Sequence, residues 1–335
     1  MDRKPDMKKQ IKHKPSKIFF ASLSMIIVFF AFLEIFLRLI TFYVNPEKKI
    51  LLSFDPIATD PCPRKAVYRT VVDKDLFWTN PATIREDLKS KPANMIRIIC
   101  LGDSTTAGYH LLPKGYSFPE QLSRILKAKY ADNIEVINEG AGGYSSYQGL
   151  VFLKKHILQY SPSIITLKFG CNDSALALPL PDKDVKIKTK GVLMDRALNW
   201  SRIYQLVWFL KTIQRNQYYF KHSNELPLRV SKEEFEANIN EMIKIAAQHN
   251  IKVIFITSPT RDSASLIQEY NKILRKIARS KNVPLVDAGL KFEELGEKAK
   301  GLFYDAGHLK ADGEKIIAVE LAGVVSNLLK NKQSR

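Results

Sequence analysis

The sequence predicts an α/β fold in which a doubly wound parallel sheet of five strands lies between two layers of helices, preceded by a single N-terminal transmembrane helix. Three observations support this prediction: five short apolar runs, helical stretches that separate them, and a long apolar segment near the N-terminus. Apolar strands that alternate with helices are typical of a parallel sheet buried on both faces. With 335 residues, 45% of them hydrophobic, the chain can form a sizeable core.

The N-terminal apolar segment predicts a membrane anchor. Residues 18–44 are apolar except for Glu34 and Arg38, and as a helix they would extend about 40 Å, enough to cross a hydrocarbon core of about 30 Å. The segment is longer than the apolar region of a signal peptide and has no small-residue cleavage site, so we expect it to be retained. Glu34 and Arg38 are four residues apart and can neutralise one another near the far interface.

Charge around the anchor predicts its orientation. Seven basic residues lie in the tail of residues 1–17, namely Arg3, Lys4, Lys8, Lys9, Lys12, Lys14 and Lys17. We therefore expect a cytoplasmic tail and a single-pass protein whose remaining residues lie outside the cytoplasm. This cluster accounts for part of the excess of 52 lysines and arginines over 34 acidic residues. The other lysines lack interleaved aromatic residues, so nucleic-acid binding is not expected.

The residues after the anchor divide into two parts. Residues 45–93 carry scattered prolines and predict a membrane-proximal lead-in, and the main domain is predicted over residues 94–335. Its predicted strands are Met95–Leu101, Ile134–Asn138, Ile164–Phe169, Lys252–Thr257 and Val283–Asp287. Its predicted helices are Pro119–Tyr130, Ser146–Gln159, Lys232–His249, Ser263–Ser280 and Ala311–Leu329. Short connections and right-handed crossovers favour a flavodoxin-like sheet in a three-layer αβα arrangement.

A Gly102-Asp103-Ser104 turn follows the first predicted strand, at the edge where a doubly wound sheet binds its ligands. Ser104 is a candidate nucleophile, and Gly102 relieves crowding in the turn. On its own, such a turn is more typical of a helix cap, a role that aspartate and serine both favour. The G-x-S-x-G elbow of the α/β hydrolases is absent from the sequence.

Glycines and an asparagine follow the next two predicted strands. The block Asn138–Gly143 has three glycines in four residues, which lets its backbone N–H groups approach a ligand. A dinucleotide-binding fingerprint would need a further glycine at the position of Ser145, so that kind of site is not expected. Asn172 can donate its side-chain amide to a developing oxyanion, although a lone asparagine after a strand is usually a turn residue.

Of the six histidines, His308 lies beyond the last predicted strand, three residues after Asp305. A D-x-x-H segment alone is common and mostly structural. A serine nucleophile needs a base, however, and the base needs a carboxylate that fixes its tautomer. Taken with the other three blocks, this segment predicts a Ser-His-Asp site at the carboxyl edge of the sheet.

The three cysteines indicate neither a disulfide framework nor a zinc site, because the sequence has no C-x-x-C pair. We expect Cys100 and Cys171 to be buried thiols, whereas Cys62 lies in a proline-rich segment. The predicted chemistry requires no metal and no organic cofactor.

One connection, residues 174–230, is too long for an ordinary strand-to-helix loop. Its second part has a helical pattern with apolar residues on one face: Ala197, Trp200, Ile203, Tyr204, Val207 and Leu210. We expect an extra helix packed on the domain, with a cap over the active site or a helix resting on the bilayer as alternatives. Ser231 followed by Glu234 predicts a capping box at the start of the next helix.

The four blocks resemble the motifs of the SGNH/GDSL hydrolase family, and the resemblance covers about residues 94–335. It implies that Ser104 is the nucleophile and that His308 is the base, oriented by Asp305. It also implies an oxyanion hole with three donors, which are Ser104, Gly143 and Asn172. The spacing of Glu34 and Arg38 is similar to that in membrane-anchored bacterial members. Members of this family cleave lipid, thioester and carbohydrate esters, so the resemblance leaves the substrate open.

These observations together predict a serine acyl-ester hydrolase that acts on envelope or other extracytoplasmic substrates and is held on the lipid bilayer by residues 18–44. An O-acyltransferase that uses the same acyl-serine on a cell-surface glycan is one alternative, and a lipase or lysophospholipase is another. A non-catalytic envelope-binding protein is the alternative that fits least, because a binding module does not need a nucleophile, a base and oxyanion donors together.

Overall fold

The computed structural model describes residues 17–44, 71–79, 85–108, 111, 114–130, 133–177, 180–186, 198, 200–261 and 266–333. Most of the basic tail, Cys62 and Ala197 lie outside these residues. The chain divides into two compact units. The first comprises residues 1–56 and 190–217, and the second comprises residues 57–189 and 218–335.

The strands and helices follow one another closely along the chain. The strands are β1 (Val71–Asp73), β2 (Phe77–Thr79), β3 (Ile96–Gly102), β4 (Ile134–Gly140), β5 (Ile164–Lys168), β6 (Lys252–Ile256) and β7 (Leu285–Val286). The helices are α1 (Lys17–Val44), α2 (Ser104–Ala107), α3 (Phe118–Tyr130), α4 (Ser146–Lys155), α5 (Arg202–Lys221), α6 (Lys232–Gln248), α7 (Ile267–Lys281), α8 (Ala288–Leu295), α9 (Glu297–Lys300) and α10 (Ala311–Gln333).

The sheet of the second unit confirms the predicted α/β fold. Five parallel strands are arranged in the order β4-β3-β5-β6-β7, with β3 in the position that links the two halves of the sheet. This is the strand order of a flavodoxin-like, doubly wound sheet. Ligands of such sheets bind at the carboxyl ends of the strands that flank the point where the winding reverses. Here that point lies between β3 and β5.

Side chains of the buried strands alternate between two cores, one on each face of the sheet. In β3, Ile99 and Leu101 pack against α4, α6 and α7, whereas Ile98 and Cys100 pack against α3, α8 and α10. This alternation follows from the two-residue repeat of a strand. Because both faces are covered, nearly every residue of β3 is apolar and buried. The sequence therefore predicted both helical layers correctly.

Within the described residues, the hairpin of β1 and β2 and the short helices α2, α8 and α9 were not predicted. Helices of four to eight residues are too short to produce a clear apolar period. Two of them begin at aspartate caps, since Asp103 accepts a hydrogen bond from Thr105 N (2.8 Å) and Asp287 accepts one from Leu290 N (3.2 Å). The predicted capping box of Ser231 and Glu234 is present at the start of α6.

The first unit contains α1 and most of α5. Helix α1 includes an apolar span, Ile18–Ile40, that is long enough to cross a membrane. Helix α5 agrees with the helix predicted inside the long connection. On its predicted apolar face, the side chains of Trp200, Val207 and Leu210 are exposed.

Candidate active site

Three loops meet at the carboxyl edge of the sheet because β3 lies between β4 and β5. Gly102 at the end of β3 is paired with Gly140 of β4 and with Lys168 of β5. The segments that carry Ser104, Gly143 and Asn172 therefore start side by side. Among the described residues, no direct hydrogen bond joins Ser104 to Gly143 or to Asn172.

The turn after β3 presents Ser104 as the first residue of α2. The preceding Asp103 is the cap, so the helix cap and the half-buried candidate nucleophile are two neighbouring residues rather than two alternatives for one residue. Gly102 is required by close contacts: a Cβ at this position would lie 2.2 Å from Thr106 Oγ1 and 2.7 Å from the carbonyl oxygen of Lys168. Any larger residue would displace the turn, and with it the serine.

Ser104, His308 and Asp305 form a continuous chain of hydrogen bonds. Ser104 Oγ lies 2.9 Å from His308 Nε2, although the two residues are 204 positions apart in the sequence. His308 Nδ1 lies 2.8 Å from Asp305 Oδ2. When Nδ1 carries the ring proton and donates a hydrogen bond to the carboxylate, Nε2 is the acceptor for the serine hydroxyl group. A nucleophile, a base and an orienting carboxylate have this arrangement.

The loop that carries the base is itself held by Asp305. Asp305 Oδ1 accepts hydrogen bonds from the backbone N–H groups of Gly307 (2.9 Å) and His308 (2.8 Å). Burial alone would raise the pKa of this carboxyl group, but these hydrogen bonds and the His308 ring together hold its pKa below the ordinary value. Asp305 is therefore ionised at neutral pH. Its Oδ2 can accept a hydrogen bond from His308 Nδ1, which favours the observed orientation of the ring.

The glycine loop after β4 adopts a conformation that favours glycine. Gly143 has φ +80°, in the left-handed region that other residues rarely adopt. Asn172 Nδ2 donates a hydrogen bond to the carbonyl oxygen of Tyr144 (3.0 Å), so the two predicted oxyanion segments are in direct contact. Trp78 of β2 donates its Nε1 hydrogen to the carbonyl oxygen of Gly142 (3.1 Å).

Asp173, next to Asn172, ties its own loop to the segment that follows the glycine loop. It is fully buried, and its carboxylate accepts hydrogen bonds from the N–H groups of Ser146 (2.8 Å) and Gly170 (3.0 Å). Ser146 begins α4 immediately after the glycine loop. The aspartate therefore fixes the position of Asn172 relative to that loop.

Sequence reasoning missed an ion pair at the base of the long connection. Arg229 pairs with Asp182 through Nε (3.0 Å) and Nη2 (2.8 Å), and Asp182 also accepts a hydrogen bond from Ser145 Oγ (2.5 Å). The entering and leaving strands of the connection are paired beside it, through Leu176 and Leu228. No motif marks these residues, because each is an isolated charge in a segment without periodicity.

A buried lysine that contacts the residue next to the nucleophile was also missed. Lys168, the last residue of β5, is buried, and its ammonium group donates to Thr105 Oγ1. Thr105 Oγ1 in turn donates to Asp103 Oδ1 (2.6 Å). The residues on both sides of Ser104, Asp103 and Thr105, are therefore held in place by these hydrogen bonds. Among the described residues, no group of three or more His, Cys, Asp or Glu side chains is placed to hold a metal ion.

The chain is similar to known proteins in sequence and in structure. The sequence profile of the GDSL-like lipase/acylhydrolase family matches residues 100–316, more than half of the chain. The chain is 23% identical over 253 residues to the uncharacterized lipoprotein YqeF of Bacillus subtilis (strain 168), over 66% of this chain and 85% of that protein. It is 30% identical over 83 residues to an arylesterase of Vibrio mimicus, over 25% of this chain and 40% of that protein.

Among solved structures, the lipase/acylhydrolase from Enterococcus faecalis has a TM-score of 0.47 with 20% sequence identity, over 70% of this chain and 96% of that chain. The match to the family profile includes the whole segment from the end of β3 to the start of α10, and so all four motif blocks. The chain belongs to the GDSL-like lipase/acylhydrolase family, and it is an ester hydrolase of the serine type.

Proposed function

We propose that this protein hydrolyses acyl esters outside the cytoplasm through an acyl-serine intermediate on Ser104. The observation that carries the proposal is the chain of hydrogen bonds from Ser104 Oγ through His308 to Asp305. Each proposed role follows from the position of the group: Ser104 is the nucleophile, His308 is the base, and Asp305 orients and stabilises the imidazole.

In the first step, Ser104 Oγ attacks the ester carbonyl carbon while its proton passes to His308 Nε2. The negative charge that develops on the carbonyl oxygen is stabilised by three donors, the backbone N–H groups of Ser104 and Gly143 and the side-chain amide of Asn172. His308 then returns the proton to the leaving alcohol. Water then attacks the carbonyl carbon of the acyl-serine while His308 takes its proton. His308 returns that proton to Ser104 Oγ as the bond to the acyl group breaks, and the carboxylic acid is released.

The substrate we propose is an acyl ester on an envelope glycan or a related surface molecule, with a short acyl group. The apolar helix α1 would confine the site to the membrane surface. The basic tail favours a cytoplasmic N-terminus, so the site would face outwards. One relative is named a lipoprotein, which supports an envelope location, and another is named an arylesterase, which supports action on esters.

A transferase is the second candidate, because an acyl-serine can be resolved by a sugar hydroxyl group as well as by water. The two reactions share every residue named above. They differ in whether an acceptor alcohol outcompetes water, which product analysis with and without a glycan acceptor measures.

A fluorophosphonate probe tests the proposed nucleophile, since it forms a covalent adduct with an activated serine. With the full-length protein in detergent micelles, we expect one adduct, located on Ser104 by mass spectrometry. Ser104→Ala should remove the adduct and the turnover of p-nitrophenyl acetate, whereas Ser280→Ala on α7 should retain both. An adduct elsewhere, or turnover by Ser104→Ala within tenfold of the unaltered protein, would exclude Ser104 as the nucleophile.

The acyl preference is tested with acetyl and dodecanoyl p-nitrophenyl esters. We expect a higher kcat/KM for the acetyl ester. A kcat/KM about tenfold higher for the dodecanoyl ester, worth about 1.4 kcal/mol of transition-state binding, would favour a lipase or lysophospholipase instead.

A further inference from the structure

A carboxylate inside the apolar span binds the start of a helix that lies far along the chain. Glu34 of α1 accepts hydrogen bonds from the backbone N–H groups of Arg202 (2.9 Å) and Ile203 (3.1 Å), and from Ser201 Oγ (3.0 Å). These groups form the first turn of α5, where backbone N–H groups have no partner within the helix. The N-terminal end of a helix also carries a positive partial charge. Glu34 is therefore the cap of α5, supplied by the anchor helix.

Arg38, one turn further along α1, binds the same junction. Its Nε donates a hydrogen bond to Glu34 (2.8 Å), and its Nη2 donates one to the carbonyl oxygen of Trp200 (2.7 Å). The guanidinium carbon lies 5.9 Å from the centre of the Trp200 ring, in a cation–π contact. The two charges of the apolar span thus do more than neutralise each other. They hold a second segment, and they gain the partners that a charge in an apolar medium requires.

The junction fixes the depth at which α5 begins. Glu34 precedes Ile40, the last residue of the apolar span, by less than two helical turns, which is about 9 Å of rise. A helix that lies in the plane of a membrane interface has its apolar face about 5–10 Å below the headgroup boundary. If α1 spans the bilayer, α5 begins at the depth of such an interfacial helix.

The apolar side chains of α5 are suited to that position. Val207, Leu210 and Ile213 are 46%, 51% and 36% exposed, and their three-residue spacing places them within about 120° of one another around the helix. Trp200, at 68% exposure, adds an aromatic side chain of the kind enriched at membrane interfaces. Lys211 beside this stripe is also exposed, and a lysine can extend its ammonium group to the phospholipid headgroups.

We propose that α5 is a second membrane-contacting element, held in the outer interface of the phospholipid bilayer by Glu34 and Arg38. Val207, Leu210 and Ile213 contact acyl chains, and Trp200 lies at the level of the headgroups. The proposal rests on the proposed membrane anchoring by α1. It makes the long connection a membrane-binding insertion rather than a cap or a helix packed on the domain.

Site-directed spin labelling of the full-length protein in nanodiscs, one chain per disc, tests this proposal. Cys62→Ser leaves Cys100, which is buried as expected, and Cys171, which is half-buried rather than buried. Burial raises the thiol pKa of both to about 12, and labelling of the Cys62→Ser protein without an added cysteine is the control for their reaction. Labels are then attached in four single variants: Val207→Cys, Leu210→Cys, Phe29→Cys in the span and Lys298→Cys on α9. We expect the first two labels to be accessible to oxygen and to lose accessibility to a water-soluble nickel chelate, as the label at position 29 does. The label at position 298 should remain accessible to nickel.

Each other outcome has one meaning. Nickel access at positions 207 and 210, with position 29 protected, would overturn the proposal for α5 and leave the anchor intact. Nickel access at all positions would overturn the anchor as well. Protection that requires two chains per disc would assign the exposed stripe to a second copy and overturn the lipid contact.

The role of Glu34 is tested in the same discs. Glu34→Ala in the Val207→Cys background should restore nickel access at position 207, whereas Glu34→Gln, which keeps one amide oxygen as an acceptor, should restore less. Label at position 29 reports that α1 still spans the bilayer in both variants. Unchanged protection at position 207 in Glu34→Ala would overturn the assignment of Glu34 as the residue that sets the depth of α5.

Discussion

The guanidinium group of Arg229 donates a hydrogen bond from Nη1 to the carbonyl oxygen of Gly143, over 2.9 Å. The same side chain is fixed by its ion pair with Asp182 and lies 6.0 Å from the centre of the Trp78 ring. This contact holds the peptide plane that follows Gly143, and the plane that precedes it, which contains the Gly143 N–H, is held by the hydrogen bond from Trp78 Nε1 to the Gly142 carbonyl oxygen. The Gly143 N–H, which we propose as an oxyanion donor, is therefore positioned by residues outside every catalytic motif.

We expect Arg229→Met to lower kcat by about 10- to 100-fold with little change in KM, because a misdirected donor loses part of the 100- to 1000-fold effect of a complete donor. Arg229→Lys should restore little, since an ammonium group cannot replace a planar fork that binds three partners. Steady-state kinetics with p-nitrophenyl acetate measure both. Arg275→Met, which breaks the ion pair of Arg275 with Asp287, is the control and should retain kcat. A change confined to KM would instead assign Arg229 to substrate binding.

Asn172→Ala should lower kcat by about 100- to 1000-fold, because the amide is proposed to act on charge that exists only in the transition state. The same substitution also removes the hydrogen bond to Tyr144, so the thermal midpoint is measured beside the kinetics. Asn240→Ala, which removes a hydrogen bond to a backbone carbonyl on α6, is the matched control with normal kcat expected. Equal kcat in Asn172→Ala and the unaltered protein would exclude the proposed role.

The sequence was sufficient to predict the sheet and the segments that meet at its edge. Strands buried on both faces are nearly continuous apolar runs, so five of them were recognisable, and the residues just after them were the candidates for the site. This is why Ser104 and His308, 204 positions apart, could be proposed as partners before their 2.9 Å contact was known. The chemistry of a serine nucleophile made the pairing specific.

The contacts that hold the site were not predictable in this way. Lys168 continues an apolar strand, where a lysine would ordinarily mark its solvent-exposed end, yet the residue is buried against Thr105. Trp78 lies in a segment of low periodicity, and its contact with Gly142 joins residues 64 positions apart. Such contacts depend on how distant loops pack and leave no repeating pattern in the sequence. The capping of α5 by Glu34 is of the same kind.

The proposed orientation predicts that the second unit is digested when protease is added to intact spheroplasts. The basic tail should stay with the negative cytoplasmic side of the membrane, which places residues after α1 outside. Immunoblotting with antibodies against the C-terminal residues measures the digestion, and a cytoplasmic marker protein is the control for intact cells. Replacing Lys8, Lys9, Lys12 and Lys14 with glutamine should reduce the digested fraction. Complete protection of the unaltered protein would reverse the orientation.

A buried carboxyl group in the glycine block gives the stability a defined pH dependence. Glu139 of β4 is 1% exposed, and within the described residues its Oε2 has no hydrogen-bond partner. Burial raises its pKa to about 8 from an ordinary value of 4.5, although Arg85 acts in the opposite direction. Between about pH 4.5 and about pH 8, the native state therefore keeps a proton that the unfolded chain has already released.

The free energy of unfolding should fall as the pH rises through this window, by at most about 1.4 kcal/mol per pH unit from Glu139 alone. Glu139→Gln has no such proton to release, so its stability should decrease less between pH 5.5 and pH 8.5. Urea unfolding of the full-length protein in micelles at the two pH values measures the difference. Part of the slope should remain, because burial also raises the pKa of Glu314 to about 8. Glu320→Gln on the exposed face of α10 is the control, and an equal pH slope in Glu139→Gln and Glu320→Gln would contradict the prediction.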